Sequence, residues 1–398
     1  MARPLIFNTW VYGLFLAVVF VAYWGAPTRA RPAVLTAVGL FFYWYYFPPH
    51  LLLIVALTLG VLVVGRRVAP DAGPGRRAWL AIGVGGCVAL LVYYKYQGLL
   101  ADAVGWVVGR SDVLRPPQLR APLGISFFTF EFVHYLVEVS RGTFPPARLG
   151  EFALFALFFP TLICGPIKRF GDFRSQEHAA QPLDGADVNA GLERIVVGLA
   201  KKTLVADVVA RSTAAVFGQP EAYTWAQLWL AVYGYAFQIY CDFAGYSDIA
   251  IGSARLLGYR VPENFDWPYL QPNIARFWRS WHMSLTSWIT DYLYIPLGGS
   301  RRGEWRGYAN RLVSMTICGL WHGAAFHFAV WGMYHGLALN LFRVWERWRG
   351  PRADSRPVAR VVSTLVTFHV VCIGWVLFVC DLDRAWVVIG RLLLLRSR

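Results

Sequence analysis

Residues 263–303 read ENFDWPYLQPNIARFWRSWHMSLTSWITDYLYIPLGGSRRG and residues 319–336 read GLWHGAAFHFAVWGMYHG, preceded at 240–252 by YCDFAGYSDIAIG. The second and third of these blocks each set a histidine, His282 and His322, among tryptophans and aliphatic residues. An ionisable ring is costly to bury in such surroundings, so its presence calls for a role. The rest of the chain is read around these two positions.

Of 398 residues, 57% are hydrophobic and 15% charged, which is outside the range of soluble globular domains and indicates a polytopic, all-α integral membrane protein. Trp10–Trp24, Leu51–Val64, Trp79–Tyr94, Phe152–Cys164, Leu228–Tyr240, Leu312–Val330 and Val361–Val379 are the dense apolar windows. A span needs about 20 such residues, so the shorter windows predict tilted or re-entrant segments inside a protein-lined cavity. The net charge of +15 is spread over the loops and builds no aromatic-interleaved basic face, which argues against nucleic acid as a partner. It fits membrane topology instead. Arg29 and Arg31 follow the first span, and Arg66, Arg67, Arg76 and Arg77 fall two spans later on the same side, so the positive-inside rule puts that side in the cytoplasm and the N-terminus outside. The first window has one basic residue ahead of it and a poor cleavage site after it, and is read as a retained helix. Cys87, Cys164, Cys241, Cys318, Cys372 and Cys380 show no CxxC spacing, so neither disulfides nor a zinc site is expected.

Residues 1–100 read as four closely connected helices, with an aromatic cluster, FFYWYYFPPH, suited to the membrane interface, and residues 65–78 read as a cytoplasmic loop. Residues 101–120, with Arg110, Arg115 and Arg120, are expected along the outer surface. In PLGISFFTFEFVHYLVEVSRG, Glu131, His134 and Glu138 are spaced to share one helix face, a polar stripe directed at a cavity or the protein interior. FFPTLICGPIKRFGDF (158–173) breaks at Pro160, Gly165 and Pro166 just before Lys168 and Arg169; the basic pair is suited to a phosphate-bearing donor or to headgroup anchoring. Residues 186–217 have the composition of an amphipathic helix at the cytoplasmic interface, interrupted by Arg194, Lys201, Lys202 and Asp207. The last span is expected to end near Cys380, before a second apolar run, Val387–Leu395.

In FWRSWHMSLTSW, helical spacing places Trp278, Trp281, His282 and Leu285 on one face, with Ser280, Ser284, Asp291 and Tyr292 close in sequence. In GLWHGAAFH, glycines at 319 and 323 would let a ligand approach His322, whose neutral imidazole is suited to act as a general base toward a hydroxyl. His327 is too far round the helix to share that face, and His335 would line a further turn. Gly298–Gly299 is expected to close a re-entrant turn. GxSxG, Walker A and HExxH patterns are all absent from the chain.

PLGISFFTF, FFPTLICGPIKRF, DFAGYSDIAIG, PENF, FWRSWHMSLTSWITDYLYIPLGGSR and GLWHGA, in this order, resemble the blocks of the membrane-bound O-acyltransferase family. The similarity covers roughly residues 1–345 and is strongest to the bacterial branch of alginate O-acetylation and teichoic acid D-alanyl transfer. It implies about eleven transmembrane helices plus re-entrant and interfacial helices around a central tunnel, in the inner membrane. It further implies that His322 and His282 match the family's two histidines. An acyl thioester, acetyl-CoA or an acyl carrier protein, would approach from the cytoplasm, with no resident cofactor. The acceptor would be a hydroxyl of an exported glycan on the outer side, with D-alanyl transfer to a cell-wall polymer as the alternative. His322 would deprotonate the acceptor or stabilise charge on the thioester carbonyl; Trp278, Trp281, Asp242, Tyr292 and Ser284 would line the substrate path, with Asp242 and Asp248 shaping its wall. Alginate-type members usually carry further C-terminal helices and work with an extracytoplasmic partner, so this chain is expected to be either a piece of a longer protein or a member of a shorter branch.

The chain is accordingly read as one membrane domain, with N-terminal helices at 1–100, core motifs at 121–345 and C-terminal helices at 346–398. Two readings from other classes compete with the acyltransferase: a transporter or flippase built on Glu131, His134 and Glu138, and a catalytically inert scaffold.

Overall fold

The computed structural model describes residues 6–109, 121–177, 182–350 and 357–394, and it divides into two compact units. The first unit, Met1–Leu199 with Tyr246–Pro262, contains α1 (Trp10–Gly25), α2 (Arg31–Tyr46), α3 (Leu51–Val68), α4 (Arg76–Lys95), α5 (Gln97–Val108), α6 (Ile125–Arg141), α7 (Leu149–Leu157), α8 (Phe170–Glu177) and α9 (Gly185–Ala200). The second unit, Ala200–Gly245 with Glu263–Arg398, contains α10 (Asp207–Gly218), the first part of α11 (Trp225–Leu256), α12 (Ile274–Ser280), α13 (Met283–Ile289), α14 (Glu304–His322), α15 (Phe326–Arg349), α16 (Pro357–Val379) and α17 (Leu382–Leu392). Among the described residues the only extended pairing is an isolated antiparallel bridge, Phe265 with Trp281. Arg110, Arg115, Arg120 and Leu395 lie outside the described residues.

Helix α1 is apolar on both faces. In α1, Tyr12, Leu16, Val19 and Tyr23 pack inward while Leu14, Val18 and Val21 stay exposed, as expected where the surrounding medium is hydrocarbon. By length and composition, Pro48–Val68, Arg76–Lys95 and Pro357–Val379 qualify as membrane spans on their own. Of the remaining apolar windows, Leu228–Tyr240 lies inside the long α11, and the others are folded into shorter or interrupted helices. Phe152–Cys164 is one of these: α7 stops at Leu157 and a tight turn follows at Phe159–Thr161. Leu312–Val330 is another, and here the structure corrects the single span expected, because the chain reverses at Gly323–Ala325 between α14 and α15.

In the first unit α6 is bounded by glycines with left-handed backbones, Gly124 at φ 71° and Gly142 at φ 77°; Thr143 N–H caps Glu138 C=O at 3.1 Å. Its polar stripe is consumed internally. Lys168 Nζ donates to Glu131 Oε1 at 2.6 Å with both side chains buried, and the ammonium also lies 4.9 Å from the centre of the Phe155 ring. His134 Nε2 accepts from the Phe170 amide at 2.8 Å, and Glu138 receives Arg141 at 2.7 Å and Thr143 at 2.6 Å. Glu131 and His134 are therefore clamps on the broken 158–173 segment. Lys168 is turned inward to complete that clamp, which removes it from the donor-binding and headgroup roles expected of it. Asp248 likewise holds Arg194 at 2.6 Å.

A buried ion pair need not add stability, but removing one partner strands a charge in an apolar interior at a cost of about 3–5 kcal/mol. Lys168→Met should therefore lower the melting temperature of the detergent-solubilised protein sharply, and the double variant Lys168→Met with Glu131→Leu should recover most of the loss. If the single and double variants melt alike, Glu131 does not depend on Lys168.

Candidate active site

Apart from Asp248, which belongs to the first unit, the residues singled out around the two histidines, from Asp242 to His335, lie in the second unit. Its core is aromatic: Trp281 packs against Phe277, Phe265, Tyr269 and Trp375, with Trp375 Nε1 donating to Tyr269 Oη at 3.0 Å and that hydroxyl donating to Ala236 C=O at 2.7 Å. The expected continuous helical face through Trp281 and His282 is interrupted. α12 ends at Ser280, and His282 adopts a left-handed backbone (φ 44°, ψ 54°) before α13 begins. For a non-glycine residue this conformation is strained by about 1–3 kcal/mol and persists only where surroundings hold it.

Asn264, in the PENF block, is what holds it. Its backbone C=O accepts from Met283 N–H at 2.9 Å, while its side-chain oxygen accepts Ser284 Oγ–H at 2.7 Å and Ser284 N–H at 3.3 Å. Because a backbone amide can only donate, the Asn264 atom facing α13 is the carbonyl oxygen rather than the NH2. His282 Nδ1 lies 3.3 Å from that same oxygen, so Nδ1 carries the proton and the lone pair sits on Nε2. Nε2 is buried and makes no hydrogen bond among the described residues. A neutral His282 therefore presents an acceptor, able to take a proton or orient a hydroxyl but unable to donate to an oxyanion.

His322 is the last residue of α14, where the α14–α15 hairpin turns. The flanking glycines serve packing, which corrects the open approach expected of them: a Cβ on Gly319 would strike Phe328 C=O, one on Gly332 would strike Met315 C=O, and one on Gly323 would strike the Phe328 ring. Trp321 contacts both histidines, with ring centres 5.9 Å from His282 and 4.8 Å from His322. Trp331 and Phe378 complete the wall of His322 at 5.2 and 5.1 Å, and Phe243 lies edge-on to His282 at 4.5 Å. His335 lies beyond Trp331, fully buried between it and Trp278, and His327 turns away to Leu377 C=O at 3.1 Å.

Of the residues expected to line the substrate path, Trp281 and Ser284 flank the His282 break, Ser284 with its hydroxyl committed to Asn264, while the Trp278 ring packs against Trp331 and His335. Asp242 is engaged by Lys202 at 2.6 Å, from a π-helical turn at Lys201–Ala206, and Tyr292 stands on a second π-helical turn, Thr290–Tyr294, against Trp288. Lys202 is thereby buried. Gly298 and Gly299 form the expected turn, held by Asn310 Nδ2 to Gly299 C=O at 2.9 Å. The six cysteines are free, and among the described residues no three His, Cys, Asp or Glu side chains gather as a metal site. Sequence reasoning missed Asn264, which stands between Glu263 and Asp266 and so reads as one more polar residue of a loop.

Residues 89–380 match the membrane-bound O-acyltransferase family. The chain belongs to that family. As a family member it is an integral-membrane O-acyltransferase, and the transport reading loses its basis, since its stripe is bonded within α6 and the 158–173 segment. The chain is 37% identical over 382 residues to a probable alginate O-acetylase of Pseudomonas aeruginosa, covering 94% of this chain and 72% of that one. It is 30% identical to a peptidoglycan O-acetyltransferase of Helicobacter pylori, covering 94% and 77%, and 31% identical to a teichoic acid D-alanyltransferase of Bacillus subtilis, covering 66% and 70%.

Replacing Asn264 by leucine strands the His282 Nδ1 proton and the Ser284 hydroxyl, and lets the strained break relax. Misplacing a reacting group by about an ångström costs on the order of 100-fold in rate. Initial acyl-transfer rates of Asn264→Leu should fall by about that factor, while Asn264→Asp, which keeps an acceptor, retains more; rates for Asn264→Leu at the wild-type level would remove Asn264 from the site.

Proposed function

We propose that this acyltransferase moves an acetyl group from a thioester, acetyl-CoA or an acyl carrier protein on the cytoplasmic side, to a hydroxyl of an exported polysaccharide or other envelope glycan. The enzyme works in the inner membrane with its N-terminus outside. His322, the more exposed of the two histidines, takes the hydroxyl proton as the alkoxide oxygen attacks the thioester carbonyl. The C–O bond forms, the C–S bond breaks, and the leaving thiolate recovers a proton. His282 orients the acceptor through its Nε2 lone pair. The observation that carries this reading is the pairing of a tautomer-fixed His282 with His322 across Trp321, in a chain that aligns over 94% of its length with a probable alginate O-acetylase. The acceptor's delivery by an extracytoplasmic partner belongs to the same proposal.

A positioned general base is worth about 10²–10⁴-fold. In membrane vesicles supplied with labelled acetyl-CoA and the envelope polysaccharide, His322→Ala should lose at least that much transfer while the protein inserts normally. Mass spectrometry of envelope glycans from a deletion strain should show the loss of acetyl groups alone. Loss of alanyl groups instead would assign D-alanyl transfer, and full activity of His322→Ala would overturn the catalytic assignment.

A further inference from the structure

The second unit carries a cavity of about 890 Å³, distinct from the histidine pair, between α15, α16 and the entry to α12. Its walls are Leu337, Ala338, Leu341, Phe342, Val362 and Val366, with Asn273 beside Ile274, Tyr334 at one end of the α15 stretch and Arg349 at the other. Along α15 it runs from Tyr334 to Arg349, fifteen steps of the helix that rise about 22 Å, more than one hydrocarbon leaflet of about 15 Å. Several of the same aliphatic side chains, Leu337, Leu341, Val362 and Val366, are exposed, so the groove opens toward the surrounding medium.

The charge at its end selects the occupant. α15 finishes in three arginines and two tryptophans. Arg343 is paired with Glu346 at 2.7 Å and Arg347 with Glu304, whereas Arg349 meets no carboxylate among the described residues. Its guanidinium carbon lies over the Trp345 ring, 4.9 Å from the centre, and a guanidinium fork is the group that grips phosphate in two-point fashion. Trp345 and the nearly fully exposed Trp348 mark this end as the level where a membrane's apolar and polar layers meet. A long apolar channel that ends in an aromatic-backed arginine, with no carboxylate on it among the described residues, matches one chemistry.

We propose that this groove is a binding site for one anionic phospholipid, its acyl chain lying between α15 and α16 and its phosphate on Arg349. The site abuts the catalytic scaffold through Pro272, Asn273 and Ile274; Asn273 caps α12 by accepting from Arg276 N–H at 2.8 Å, and α12 leads into the His282 break. The bound lipid thus braces the helix that carries Trp278.

Native mass spectrometry of the full chain, delipidated in detergent and titrated with phosphatidylglycerol or phosphatidylcholine, tests this without reference to the reaction. The wild type should retain one phosphatidylglycerol and release phosphatidylcholine. Arg349→Gln should weaken phosphatidylglycerol retention about tenfold, the loss of one charge-assisted contact. Ala338→Trp, which fills the groove, should abolish retention of the lipid with the arginine intact, and unchanged melting profiles show that both variants are folded. Equal retention of the two lipids by the wild type, undiminished phosphatidylglycerol on both variants, displacement of the lipid by inorganic phosphate alone, or a dimer occupying the groove would each overturn the proposal.

Discussion

The hydrogen bond between Asn264 and His282 does more than fix a ring. An imidazole inside an apolar bundle has two nitrogens to satisfy and little water to satisfy them. By committing one nitrogen to an amide oxygen that also receives Ser284, the fold pins α13 to the strand-like segment beside Trp281 and forces the left-handed turn that aims the other nitrogen. Tautomer, backbone strain and helix break are one arrangement. The aromatic core behind it, built on Trp281, Trp375 and Tyr269, gives that arrangement a rigid backing.

The partner histidine is delivered by different means. α14 and α15 approach so closely that backbone carbonyls of one lie against glycines of the other, and no side chain intervenes at Gly319 or Gly332. Membrane helices lack a strong solvent-driven force between them, so such contact relies on dispersion and fit. His322 sits where that tight hairpin turns, so its position is set by two helices at once, with Trp321 spanning the gap to His282.

Much of this was legible in the residues. Aliphatic windows and scattered arginines disclosed a membrane protein, and two histidines among tryptophans pointed to the candidate site, because both signals depend on the cost of burial, which is local to the side chain. The prolines and glycines of 158–173 announced a broken element correctly. What stayed hidden was pairing over distance: that Lys168 would turn inward to Glu131, that Asp242 would take Lys202, and that Asn264 would serve His282. The GLWHGA glycines were read for the space they leave, whereas a facing helix fills it, and nothing within one helix reports the helix opposite.

The fixed tautomer of His282 also restricts how protons can travel. Histidines that relay protons take one on at one nitrogen and release another from the far side, handing it to a base behind. An amide oxygen is far too weak a base to accept it, so the route through Nδ1 ends at Asn264. Any proton that His282 picks up at Nε2 has to leave by Nε2, and the ring behaves as a cul-de-sac rather than a wire. In a protein that divides two compartments, such a dead end lets a basic nitrogen sit deep in the apolar layer without providing that ring as a leak.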